Sequence, residues 1–467
     1  MTKGIVLSGG GTKGAFEAGA MKYVLGVEHF YPEVLAGTSA GSLMAGVIGQ
    51  ARTPHEFDEI NGVLHDNMLA MTRTEVVFGK QSWLAEFDGT PVASIIDSFM
   101  ADRGRPAIPV DDGLEDDPLH PRFEPPPRRK HRRWTDLTAM AAQLPAALRA
   151  KSALRDDKTM RSSILTLDPM ERALRGHTNS GIHAIDEGAI ARPGLAMRLG
   201  IASLNSGVMR YVTEDGTVVN SDALTPHEPG GRPGVVTGMI ASSSVPMVFP
   251  PRRIGDDVYT DGGVLQNIPL GAAIRCGADD ILTVLALPAE FAYDDTDYTK
   301  TDFMRVYIRA TSDLAFMDQS ATSLSHPLPA GGRNRVIAPT VDVVGPFEVA
   351  QGLMLIDMDY GWMRAAEVMA DADDDTRRQA VGLSDAAIIA RERAWYLEER
   401  LIGGDRQADV VSTVRRCKDQ ARTAVDAWIA LGFPPPVGHE TWGHVWENHQ
   451  AAPPSALTSR SLLPTTG

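Results

Sequence analysis

Gly37-Thr38-Ser39-Ala40-Gly41 joins a short apolar run, Val34 to Ala36, to a small-residue stretch of helical composition, Ala40 to Ile48. A G-x-S-x-G sequence between a strand and a helix folds as a sharp elbow. Its glycines let the backbone close, and the turn projects the serine hydroxyl away from the sheet. The helix that follows points its positive end at that hydroxyl, which favours developing negative charge. Taken alone, the same residues also read as a small-residue turn with Ser39 as an N-cap. The context narrows the choice. Gly4 to Leu7 is a short buried strand, Gly9 to Gly14 a glycine-rich loop and Ala15 to Leu25 a helix. The first 50 residues therefore alternate strand and helix, which predicts an α/β fold with a parallel sheet covered on both faces.

Successive glycines in Gly9-Gly10-Gly11-Thr12-Lys13-Gly14 let backbone N–H groups converge as an anion nest. Beside a serine nucleophile such a nest is an oxyanion hole. Gly9, Gly11 and Gly14 also satisfy G-x-G-x-x-G, but a dinucleotide site wants an acidic residue ending the second strand, and Glu33 sits at its start. A P-loop fails because Ala15 and Phe16 follow Gly14. Later, a short strand from Asp257 to Thr260 delivers Asp261 into Gly262-Gly263, followed by Asn267-Ile268-Pro269. A carboxylate at a strand end is where α/β folds place chemistry. An Asp-Gly turn with an Asx hydrogen bond is the plainer reading of Asp261 by itself.

Together these blocks resemble the signatures of the patatin-like phospholipases, in the family's order. A fourth, Ala241 to Pro251, resembles the family's Pro- and Phe-bearing segment before the aspartate, and the likeness covers roughly residues 3–290. It implies a three-layer α/β/α fold with a mainly parallel central sheet. It implies a Ser-Asp dyad with Ser39 as nucleophile and Asp261 as base, in an elbow built on Gly37, Ala40 and Gly41. The amides of Gly9, Gly10 and Gly11 would hold the oxyanion, with Lys13, Gly14, Gly262 and Gly263 in support. Lys13 reads either as a cation that attracts an anionic head group or supports the oxyanion site, or as a plain surface lysine. The implied activity is lipid acyl hydrolysis of the phospholipase A, lysophospholipase or esterase type, through an acyl-enzyme and with no metal or organic cofactor. A transacylase on the same dyad and a non-catalytic lipid- or partner-binding scaffold are the alternatives. None of the blocks holds a histidine; for a triad, His439, His444 and His449 are the late-chain candidates.

The remaining chain divides by composition. Residues 1–100 and 161–345 read as the catalytic α/β part. Within it, Asp215-Gly216 between Val208-Thr213 and Thr217-Val219 signals a hairpin. Residues 101–160 read as a Pro-rich charged insertion or lid, 346–432 as a helical region and 433–467 as an irregular tail. In the C-terminal region Ala386 to Leu401 and Val410 to Leu431 carry amphipathic patterns. In the insertion, Arg128 to Arg133 precede an apolar helical face from Trp134 to Leu148, and further basic residues reach 155. That segment reads either as a helix over the core or as peripheral contact with anionic lipid. The 60 acidic against 45 basic residues give a net charge of −15, which argues against a nucleic-acid partner. Two cysteines exclude a disulfide scaffold and fit a reducing compartment. With no stretch long and apolar enough to span a bilayer, the expectation is a cytoplasmic chain, peripheral at the inner membrane face if it meets lipid there.

Overall fold

The computed structural model describes residues 1–71, 74–81, 163, 165–289, 296–301, 306, 309–310, 314–345, 349–402 and 408–439. The expected insertion at 101–160, its basic helix included, lies outside the described residues, as does the tail from 440.

The described strands are β1 (Lys3–Leu7), β2 (Val34–Thr38), β3 (Gly79–Lys80), β4 (Leu165–Thr166), β5 (Ala196–Ser203), β6 (Met209–Thr213), β7 (Val218–Val219), β8 (Arg252–Ile254), β9 (Asp257–Asp261), β10 (Asp280–Val284) and β11 (Arg333–Ile337). The main sheet runs β11-β10-β1-β2-β5-β6-β7. Its β11-β10-β1-β2-β5 portion is parallel, and β6, β7, β8 and β9 pair antiparallel. The sheet is thus mixed and mostly parallel. β2 and β10 are buried along their whole length, as strands covered on both faces must be. The expected hairpin forms as β6 and β7 around Asp215-Gly216.

The described helices are α1 (Gly14–Gly26), α2 (Ala40–Ile48), α3 (Pro54–Ala70), α4 (Thr74–Val77), α5 (Asp168–Leu174), α6 (Glu187–Ile190), α7 (Val235–Ser242), α8 (Leu270–Arg275), α9 (Leu314–Leu324), α10 (Gln351–Met369), α11 (Asp374–Ile402) and α12 (Ala408–Ala430). α11 and α12 contain the two amphipathic stretches read from the sequence. α10 has no such stripe, because its residues are buried nearly all round, from Leu353 and Met354 to Ala366 and Glu367. It lies against α1 so closely that a Cβ added at Gly361 would sit 1.9 Å from Phe16 O. Phe16 and Tyr360 meet edge to face beside this crossing, their ring centroids 5.4 Å apart. One continuous apolar core therefore takes in Phe16, Met44 and Met239 together with Met354 and Trp428.

That crossing gives a stability prediction. Gly361→Ala forces backbone apart rather than moving a side chain, so it should destabilise the fold by about 3 kcal/mol. A lower urea midpoint with an unchanged slope is the expected readout. A midpoint equal to the parent's would show that α1 and α10 separate at no cost.

Candidate active site

Register explains how two residues far apart in sequence meet. On one edge of β5, Thr38 of β2 pairs with Gly200, and Asp261 of β9 pairs with the next residue, Ile201. β6 occupies the opposite edge along Arg198 to Ala202. β2 and β9 therefore run toward each other along one strand and end at adjacent positions. Ser39 turns out from the end of the first, and Asp261 closes the second.

The elbow is strained as the motif requires. Ser39 has φ 54° and ψ −124°, a conformation non-glycine residues rarely adopt. A Cβ at Gly37 would lie 2.4 Å from Gly41 O, and one at Gly41 would lie 2.5 Å from both Leu7 O and Ser8 O. The chain can make this turn only with glycine at both positions. The strained backbone is held by a serine cluster in the fourth block. The Ser39 amide donates to Ser242 Oγ at 2.9 Å, and Ser242 Oγ donates to Gly200 O at 2.6 Å. Ser39 O accepts from Ser42 Oγ at 2.6 Å and from Ser243 Oγ at 3.1 Å. Ser244 O in turn accepts from the Asp261 amide at 3.0 Å. One short segment, Ser242 to Ser244, thus fixes both residues of the pair. Its Ser-Ser-Ser run was the available sequence signal.

Asp261 is 4% exposed. The Gly263 amide donates to its Oδ1 at 2.7 Å, the Asx-type turn read from the sequence, while its buried Oδ2 has no hydrogen-bond partner among the described residues. Burial pushes the carboxyl up to about 6, against the pull of the Ser39 hydroxyl and the Gly263 amide. The Ser39 hydroxyl is therefore close enough to favour the carboxylate form.

The glycine loop faces this pair: a Cβ at Gly9 would come within 3.0 Å of Ser39 Cβ. The three expected oxyanion amides are not equivalent. Gly9 donates to Asn267 Oδ1 at 3.1 Å and to Asn267 O at 3.4 Å, and Asn267 Nδ2 donates back to Gly9 O at 3.2 Å. That amide is taken. Gly10 and Gly11 have no acceptor for their amides among the described residues. Asn267, whose role gave no sequence signal beyond its place after Asp261-Gly262-Gly263, anchors the loop at Gly9.

The sequence model of the patatin-like phospholipases matches residues 5–274. This chain belongs to that family. Membership points to lipid acyl hydrolysis. The match takes in both halves of the Ser39–Asp261 pair and stops before β10, so β10, β11 and α9 to α12 of this patatin-like chain lie outside it. Among solved structures the chain is similar to VipD from Legionella pneumophila, at 13% identity and a TM-score of 0.31, over 91% of this chain and 80% of that one. No curated protein matches the sequence.

An apolar cavity, part of it open to solvent, begins beside the patatin-like elbow. One face of α2, Ala40, Leu43, Met44 and Val47, lines it, with Gly11 and Gly14 at its loop end. That face follows the i, i+3, i+4, i+7 pattern and runs for about 10 Å from the residue next to Ser39. Five of the lining residues are methionines, whose flexible thioethers fit irregular apolar guests. Gly14 thus borders the cavity, and Gly262, whose Cβ would lie 2.4 Å from Gly200 O, packs β9 against β5.

Lys13 is not the surface lysine of one sequence reading. It is buried, and its ammonium is paired with Asp342 at 2.6 Å. With its charge engaged by Asp342 it is not open to a head group, and the reading that is left for it is support of the glycine loop. Behind the loop, fully buried Glu17 accepts from the Ser8 amide at 2.9 Å and from Ser8 Oγ at 3.2 Å, and burial raises its pKa well above the usual carboxyl range. Of the late-chain histidines, His439 sits with Nδ1 3.2 Å from Pro436 O; the other two lie outside the described residues. Among the described residues no helix is long and apolar enough to cross a membrane, and no group of His, Cys, Asp and Glu could hold a metal ion.

Proposed function

We propose that this chain is a serine-dependent acyl hydrolase acting on esters of long-chain fatty acids. One observation carries the reading: a strained serine lies beside a buried carboxylate, and the residue next to that serine lines an apolar cavity. Ser39 Oγ attacks the ester carbonyl as its proton passes to Asp261 Oδ2, the oxygen without a partner. The Gly10 and Gly11 amides and the N-terminus of α2 take up the charge on the carbonyl oxygen, in a site that costs no rearrangement at that moment. The tetrahedral intermediate collapses, and Asp261 returns the proton to the departing alcohol. Water then adds to the acyl-enzyme with Asp261 as base, releasing the fatty acid and restoring Ser39.

A fluorophosphonate probe tests this directly. One label per chain, in parallel with loss of ester hydrolysis, is the expected result; a folded chain that takes no label would overturn it. The cavity has its own test. Each buried methylene contributes about 0.8 kcal/mol, nearly fourfold in binding. Leu43→Trp fills the channel along α2, so it should cut kcat/KM for a dodecanoyl or palmitoyl ester at least about tenfold while sparing the acetyl ester. An equal effect on short and long chains would place the acyl group elsewhere.

A further inference from the structure

The glycine loop hangs between two anchors. On the catalytic side Asn267 holds Gly9 through three hydrogen bonds. On the far side the holding groups come from the segment between β11 and α10. Thr12 Oγ1 donates to Gly345 O at 2.5 Å, and the Lys13 ammonium meets Asp342 Oδ1 at 2.6 Å. The Lys13 amide also closes back on Gly10 O at 3.3 Å, so whatever fixes Lys13 fixes the turn over Gly11. From α10, buried Asp357 lies near enough to feel the Lys13 charge. Gly10 and Gly11, whose amides have no acceptor among the described residues, are the span between the two anchors. The outer anchor lies beyond residues 5–274, so it comes from the part of the chain that the family match leaves out.

We propose that residues 338–345, which follow β11, are a positioning element of the active site, in which Asp342 and the Gly345 carbonyl hold Thr12 and Lys13 so that the Gly10 and Gly11 amides face the reacting carbonyl. The inference rests on the reading of Ser39 and its loop as an acyl-transfer site. It assigns the stretch after β11, which the family match leaves out, a part in the reaction. The effect is on rate, because an oxyanion acts only as charge develops, and a loop displaced by a fraction of an ångström loses its hydrogen-bond geometry to that charge without altering the acyl channel.

The experiment measures fatty-acyl ester kinetics and fluorophosphonate labelling rates in the full chain. Asp342 is half exposed, with 55% of its side chain accessible, so its truncation leaves no buried cavity. Asp342→Ala should lower kcat about tenfold with KM within twofold, and Asp342→Glu should restore most of the loss. Adding Thr12→Val removes the second tie and should bring the loss to about a hundredfold. Arg422→Ala, which breaks an exposed ion pair with Asp419 at 2.8 Å on α12, is the control and should leave the rate unchanged. A double Asp342→Ala, Thr12→Val variant with the parent's kcat, or one in which only KM rises, overturns the positioning role. If Ser39→Ala stays active, the reading of the site itself fails, and the two failures are told apart.

Discussion

Ser39→Ala should fold as the parent does and hydrolyse fatty-acyl esters at least about ten-thousandfold more slowly, with no fluorophosphonate label. The side chain makes no hydrogen bond that holds the elbow; that work falls to the backbone, through Ser42, Ser242 and Ser243. The strain at φ 54° and ψ −124° stays in the alanine variant and is relieved in a second one. Glycine adopts this conformation freely, so Ser39→Gly should be equally inactive and more stable than Ser39→Ala, by about 1 kcal/mol after the entropy of the added glycine is counted. Thermal melts of the two variants at one pH would show it. A stable, inactive glycine variant above a less stable alanine variant means that backbone strain is kept for the sake of the serine's position. Equal melting temperatures would mean that the elbow stores no such strain, and residual turnover in both would remove Ser39 from the reaction.

The elbow, the glycine loop and the aspartate were legible because each is a local demand. A strand that must turn into a helix within a residue or two needs glycine where its own backbone crosses, and Gly37 and Gly41 declare that without help from the rest of the chain. What brings Ser39 to Asp261 is a long-range register. Nothing in either segment says that β2 and β9 will end on neighbouring residues of β5. The Asn267 clasp on Gly9, the Ser242 bond to the Ser39 amide and the Lys13–Asp342 pair are likewise contacts across more than 200 residues, made by side chains that read as turn formers or surface charges. α10 fell within the stretch read as helical but had no pattern of its own, for a different reason. A helix buried on every side shows no periodic contrast, and its glycine, which elsewhere argues against a helix, is here the condition for its approach to α1.

Asp261→Asn should lose about a thousandfold in kcat and gain stability, both for the same reason. The amide cannot accept the Ser39 proton. The parent's activity should therefore follow ionisation of the carboxyl, with kcat/KM falling about tenfold per pH unit below about 6 and level above it. For stability the sign is opposite to that of a salt-bridged aspartate. The folded pKa, about 6, stands above the ordinary 3.8. Between those two values the native state keeps a proton that the unfolded chain has already released, so stability falls as pH rises through that window. Above it, the buried carboxylate leaves the native state about 3 kcal/mol less stable than it is below pH 4. Asparagine keeps the contact with the Gly263 amide through its carbonyl oxygen and never ionises. The variant should therefore unfold at a higher urea midpoint than the parent at pH 7.5, and the difference should close as pH approaches 4. A variant no more stable than the parent at pH 7.5 would show that the carboxylate is solvated or paired, and its assignment as a base with a raised pKa would fall. A difference that shrinks on acidification, in a protein whose activity fades over the same range, would tie the cost of burying this group to its use.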